Sequence, residues 1–172
     1  GAVSGGIWQS WDAGSSWTKV SDSNAHPGVV SISQDKRPGK TNIWYALSGE
    51  ISGTSASGGS SFYLGDGAFL SIDNGNTWKS MASLANGKPN LFLYNYQGAW
   101  RIEASLVDTV PACVYIASYG TIYRSTDTGT SWAAVLGNGN YAYYTDVVVS
   151  STGVVYATMS SGSNVKGFFC SD

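Results

Sequence analysis

Charged side chains are scarce in this chain. Asp, Glu, Lys and Arg together make up 12% of its 172 residues, about half the usual share of a soluble protein. The nine Lys and Arg are scattered and the net charge is −2, so no basic face is available for nucleic acid or an anionic membrane. No run of 18 apolar residues occurs, which excludes a membrane-spanning helix. Histidine is nearly absent: His26, ahead of Pro27 in a loop-like stretch over 22–28, reads as a solvated side chain. The two cysteines, Cys113 and Cys170, stand outside any C-x-x-C or Cys/His grouping, so no zinc site and no other metal or cofactor is expected. They are compatible with one disulfide in an oxidising compartment or with two separate buried thiols. The opening residues carry no signal-peptide pattern, which fits a mature or excised segment.

Glycine, at 22 residues, and aromatics, at 13%, are abundant instead. That profile fits an all-β protein with many tight turns. Its organising stretch is an eight-residue pattern, S-x-D-x-G-x-x-W, present three times: SWDAGSSW from Ser10, SIDNGNTW from Ser71 and STDTGTSW from Ser125. Ser10, Asp12, Gly14 and Trp17 recur as Ser71, Asp73, Gly75 and Trp78, and as Ser125, Asp127, Gly129 and Trp132. An apolar or aromatic lead-in precedes each copy, and a fourth lead-in at Phe168-Phe169-Cys170 runs into Ser171-Asp172. The lead-in reads as a strand. Asp-x-Gly is turn chemistry: the carboxylate accepts backbone N–H groups and Gly takes positive φ. The Ser hydroxyl can brace the same turn. Trp then opens the returning strand, and a buried indole covers ~150–250 Å², worth roughly 4–6 kcal/mol as an upper bound. Each copy is therefore expected to be a β-hairpin tied by an acid and anchored by a buried indole.

These three motifs resemble Asp-boxes, also known as bacterial neuraminidase repeats. Such boxes occur in sialidases, xyloglucan-cleaving glycosidases, sortilin-like receptors and many secreted bacterial proteins. The resemblance implies a β-propeller in which each box joins the third and fourth strands of a blade, away from the ligand face. It assigns Asp12, Asp73 and Asp127 structural rather than catalytic roles. A longer likeness, over roughly residues 1–137 and carried by Asn42-Ile-Trp-Tyr-Ala46, Gly49-Glu50, Tyr63–Trp78 and Val114–Ser125, is to large surface-displayed repeat proteins of Bacteroidota. That likeness implies an extracellular or cell-surface location.

Taken in order, the chain divides into a partial blade over 1–22, blades over 23–82 and 83–137, and a partial blade over 138–172. Asp12, Asp73 and Asp127 are 61 and 54 residues apart (73 − 12 and 127 − 73), periods that suit four-stranded blades. The expected count is 14 strands, three in each end blade, including one over 1–5. The expected architecture is all-β, part of a larger propeller whose exposed end faces favour association, with the remainder of its own chain or with an assembly.

In such a meander the boxes share one end of the blades with the first turns. The long Ser- and Gly-rich insertion over 48–67 and the connection over 82–98 fall at the other end. The loops at that end, between strands two and three and between blades, carry Glu50, Asp66, Tyr63, Tyr94, Tyr96, Tyr119, Tyr141 and Tyr143. Aromatics beside a few acids suit binding of glycan or of a surface protein, or simply pack the loops onto the blade ends. Glu50 and Asp66 are the weak catalytic candidates, because glycoside hydrolysis needs two carboxyl groups ~5–9.5 Å apart. Only Arg37, Arg101 and Arg124 are present, too dispersed for the arginine cluster that would hold a sialic-acid carboxylate. The first expectation is a non-catalytic extracellular scaffold that binds glycan or protein; the alternative is part of a propeller glycoside hydrolase. If the boxes are structural, Asp73→Ala lowers the melting temperature and leaves ligand affinity intact in the folded population. Loss of binding at an unchanged melting temperature would refute that assignment.

Overall fold

A computed structural model describes residues 5–21, 28–50, 65–85, 87, 97–107, 112–137, 144–160 and 166–171. Thirteen strands and no α-helix occur among the described residues. The first sheet pairs Trp8–Gln9 (β1) with Thr18–Lys19 (β2). The second orders Val29–Gln34 (β3), Trp44–Ser48 (β4), Ala68–Ser71 (β5) and Lys79–Ser80 (β6) as a simple meander. The third does the same with Ala99–Ala104 (β7), Val114–Ser118 (β8), Thr121–Ser125 (β9) and Ala133–Gly137 (β10). The fourth holds Thr145–Val149 (β11), Val155–Met159 (β12) and Gly167–Cys170 (β13). All pairings are antiparallel. The chain is all-β and forms part of a propeller. The fourteenth strand, expected over 1–5, falls almost wholly outside the described residues.

The sheets stack face against face because their middle strands are apolar on both sides. Along β4, Tyr45 and Leu47 join a core with Ile102, Val114 and Ile116 of the third sheet. Ala46, between them in sequence, faces the other way and packs with Ile7, Val29 and Phe69 against the first sheet. In β8 all five residues are buried, and Tyr115 and Ala117 meet Val147, Val149 and Ala157 of the fourth sheet. Period-2 alternation between two seams, rather than between core and water, explains these near-continuous apolar runs.

The leading strands β3, β7 and β11 lie side by side. Their edges would expose unpaired backbone groups. Two serines of β3 answer this: Ser31 Oγ accepts the Ile102 N–H at 3.2 Å and Ser33 Oγ the Ala104 N–H at 3.1 Å. Between β7 and β11 the link is an exposed ion pair, Arg101 Nε to Asp146 Oδ1 at 2.5 Å.

All three boxes close the hairpin β1–β2, β5–β6 or β9–β10 with one geometry. In the second box the Ser71 hydroxyl donates to Asp73 Oδ1 at 2.8 Å and accepts the Gly75 N–H at 2.9 Å. Asp73 Oδ1 also accepts the Thr77 N–H at 2.9 Å, and Oδ2 the Thr77 hydroxyl at 2.6 Å. The same bonds recur at Ser10, Asp12 and Ser16, and at Ser125, Asp127 and Ser131. The turn needs two successive left-handed residues: Asn74 and Gly75 have φ of 63° and 86°. Ala13 and Thr128 hold Asn74's place in the other boxes, at φ 57° and 63°, where a β-branched side chain is strained.

The tryptophans depart from expectation. Trp17 is 59% exposed, and Trp78 and Trp132 are only partly buried. Each folds back over its own turn, its Nε1–H donating to the carbonyl of Gly14, Gly75 or Gly129 at 3.0, 2.9 and 3.1 Å. The indole is thus a lid on its hairpin first; Trp78 and Trp132 also pack against the edges of the sheet cores, whereas Trp17 stays largely exposed. No disulfide joins the two cysteines: Cys113 is buried and Cys170 exposed, on β13.

The three box carboxyls are held well below the usual range, at about 2. The largest cause is the hydroxyl of Ser16, Thr77 or Ser131, followed by the backbone N–H of the same residue and then the box serine. An unfolded carboxyl titrates near ~3.9, so the folded chain binds fewer protons between these values. The stabilisation is fully present above about pH 4 and is lost as pH falls through about 2. Thermal unfolding followed from pH 5 to 2 should show a falling melting temperature, and Asp73→Asn should flatten that fall. From roughly one unit above the unfolded carboxyl value to two below it, that range spans most of the transition.

Candidate functional site

Strand direction sorts the loops. β4 and β8 run away from the boxes, so Gly49, Glu50 and Tyr119 emerge at the opposite end. There the second and third sheets interlock through backbone. Gly49 N–H donates to Gly28 O and Ala99 N–H to Gly49 O, each at 3.1 Å, and Gly65 N–H donates to Gln97 O at 3.1 Å. A Cβ on Gly49 would collide with the Gln97 carbonyl and the Gly65 nitrogen, and its φ of +93° already favours glycine. Gln97 is fully buried in this junction.

The two acids of the insertion fare differently. Asp66 ties the loop together: its N–H donates to Ser48 Oγ at 3.0 Å, and its carboxylate accepts the Gly87 N–H at 3.2 and 3.1 Å. Glu50 is partly buried, and its Oε2 is enclosed with no hydrogen-bond partner among the described residues. A buried acceptor left unmatched costs about 1–3 kcal/mol, so it stands ready for a donor. Tyr119 is partly buried near Gly98, whose carbonyl accepts its N–H at 2.9 Å. Tyr63, Tyr94, Tyr96, Tyr141 and Tyr143 lie outside the described residues, as does His26.

Each of the three arginines has its own partner. Arg124 Nη2 donates to Cys113 Sγ at 3.3 Å, with its guanidinium 5.9 Å from the Tyr115 ring centre. Arg101 pairs with Asp146 as above. Arg37, in the turn between β3 and β4, makes a bidentate pair with Asp35: Nε to Oδ1 at 2.8 Å and Nη2 to Oδ2 at 2.7 Å. Asp35 is 0% and Arg37 8% exposed. In sequence, Gln34-Asp-Lys-Arg-Pro38 gives no sign of a buried ion pair. Nearby, burial first and then the Asp35 charge push the Tyr45 hydroxyl above its ordinary range. Glu103, on β7, was also passed over; burial raises its carboxyl, with Arg101 and then Lys36 opposing. Among the described residues no three His, Cys, Asp or Glu lie together as metal ligands.

No protein-family model matches the chain, and no curated protein does. Solved structures do. The chain is similar to an ancestral GH74 enzyme with a TM-score of 0.63 at 20% identity, over 96% of this chain and 21% of that one. A GH74 enzyme of Niastella koreensis matches at TM-score 0.45 and 21% identity, over 98% of this chain and 32% of that one. The GH74 xyloglucanase of Xanthomonas campestris matches at TM-score 0.43 and 18% identity, over 92% and 31%. The first of these likenesses supports the propeller fold. The chain spans about a fifth to a third of the length of these enzymes.

The buried pair gives a direct test of how this end of the second sheet is held. Arg37→Ala strands the Asp35 charge in the interior and should cost about 3–5 kcal/mol in urea unfolding at neutral pH. A loss below about 1 kcal/mol would mean that water reaches the pair.

Proposed function

We propose that this chain belongs to a propeller of the glycoside-hydrolase kind, acting outside the cell or at its surface on a neutral β-glucan such as xyloglucan. The observation that carries this reading is the enclosed, unmatched carboxylate oxygen of Glu50 at the end of the blades opposite the boxes. The likeness to a GH74 enzyme supports the same class, and the name xyloglucanase comes from one of the weaker matches. A neutral substrate is favoured because all three arginines are engaged elsewhere. In this reading Glu50 is one of two facing carboxyl groups, and Tyr119 lines the same end. Asp66 would become the second acid only by releasing the Gly87 N–H.

That engagement of Asp66 favours a second reading, a non-catalytic scaffold that binds glycan or a surface protein at this end. Hydrolysis of xyloglucan and mixed β-glucans, followed by release of reducing ends, separates the two. The hydrolase reading expects turnover that falls by roughly 10²-fold or more in Glu50→Gln, with KM little changed. Undiminished turnover in Glu50→Gln removes that residue from the chemistry. Glycan binding without cleavage establishes the scaffold.

A further inference from the structure

The seam between the first and second sheets, at the box end, holds an open pocket of about 210 Å³. Trp8, Trp17, Trp44 and Trp78 line it with Gln9 and Val20, and no charged residue does. The internal repeat shows why it is open. Counting from the box aspartates, Gln9 and Val20 occupy the places of Leu70 and Met81. At the next seam Met81 is 6% exposed and lies over Gly129, so that a Cβ there would fall 2.6 Å from its methyl carbon. Leu70 packs into the same core. At the first seam Val20 is too short to reach Gly75, whose Cβ would meet nothing closer than 3.8 Å. The filled, apolar junction of one repeat is an unfilled, aromatic one in the other.

Its chemistry is specific. All four indole N–H groups are already bonded: Trp8 to Gly5 O, Trp17 to Gly14 O, Trp78 to Gly75 O and Trp44 to Asn74 Oδ1. The rings are therefore fixed in place and offer faces and edges, not donors. Gln9 is also fixed, its Nε2–H donating to Asn74 O at 3.0 Å. Its Oε1 is buried and has no partner among the described residues. A ligand that fits must be neutral, small, apolar on one face and able to donate a hydroxyl hydrogen. Those properties describe a sugar ring. We propose that this pocket binds one neutral pyranose unit of a glycan. The site lies at the box end, away from Glu50, and does not depend on the hydrolase reading.

Titrating the protein with cellotetraose, mannotetraose and maltotetraose, by calorimetry and tryptophan fluorescence, tests this. At least one sugar should bind saturably, with Kd of roughly 1 mM or tighter. Val20→Met, which copies the filled seam, should weaken binding about tenfold or more while the melting temperature holds or rises. Gln9→Leu, also copied from the second repeat, should weaken it similarly and serves if Val20→Met folds poorly. Glu50→Gln should leave this binding unchanged even where it abolishes turnover. Absence of saturable binding to all three sugars, unaltered binding in the folded seam variants, or loss of binding in Glu50→Gln alone would each overturn the proposal.

Discussion

One carboxylate and one serine hydroxyl decide where each of three hairpins reverses. Together they gather the Gly N–H, the N–H two residues beyond it and a Ser or Thr hydroxyl around a turn of two left-handed residues. The backbone there has no strand partner, so the side chains satisfy what the sheet cannot. Because the turn is short, it sets where strands three and four begin to pair, although in the third sheet the register then shifts between Ala134 and Leu136. Ser71 and Ser125 are buried at 1% exposure, whereas Ser10 belongs to the exposed first sheet. The same local device thus serves in very different surroundings.

The seams show how repeats diverge without changing fold. Every junction must fill the space between two sheets, yet the side chains assigned to that task differ. Leu70 and Met81 close one junction, while Gln9 and Val20 leave the corresponding space to four indoles. Substitution at two positions changes a seam from packing into surface chemistry. The hairpins at either side keep their bonds.

Much of this was legible in the residues. The box turns follow from Asp, Gly and Ser at fixed spacing, and the strands from apolar lead-ins. One bond of the box has a sequence signal outside the four-residue pattern: Ser16, Thr77 and Ser131 all carry a hydroxyl just before the Trp. The burial expected of the tryptophans is met only in part, at Trp78 and Trp132, because the indole N–H also closes its own turn. The strands that lead into the second and third boxes end at Ser71 and Ser125, where the box side chains take over from backbone pairing. The Asp35–Arg37 pair and the tie of Asp66 to Gly87 had no local signature. Both depend on which residues tertiary packing brings alongside or shields from water. The openness of the first seam likewise appears only when two repeats are compared in space.

The inner strands are fastened to each other by unlike means. Ser31 and Ser33 use short neutral hydroxyls to hold β7, and the positions that match them there by pairing register are Arg101 and Glu103. The onward link to the fourth sheet is consequently electrostatic and open to solvent, with Arg101 47% and Asp146 53% exposed at their side chains. Mobile ions weaken such an attraction and leave the serine stitches untouched. The inner strands are therefore joined by one fastening that is indifferent to ionic strength and one that salt weakens, while the apolar seam of Tyr115, Ala117, Val147 and Val149 and the buried bond from the Thr145 hydroxyl to Ser118 O keep the fourth sheet in place at any salinity.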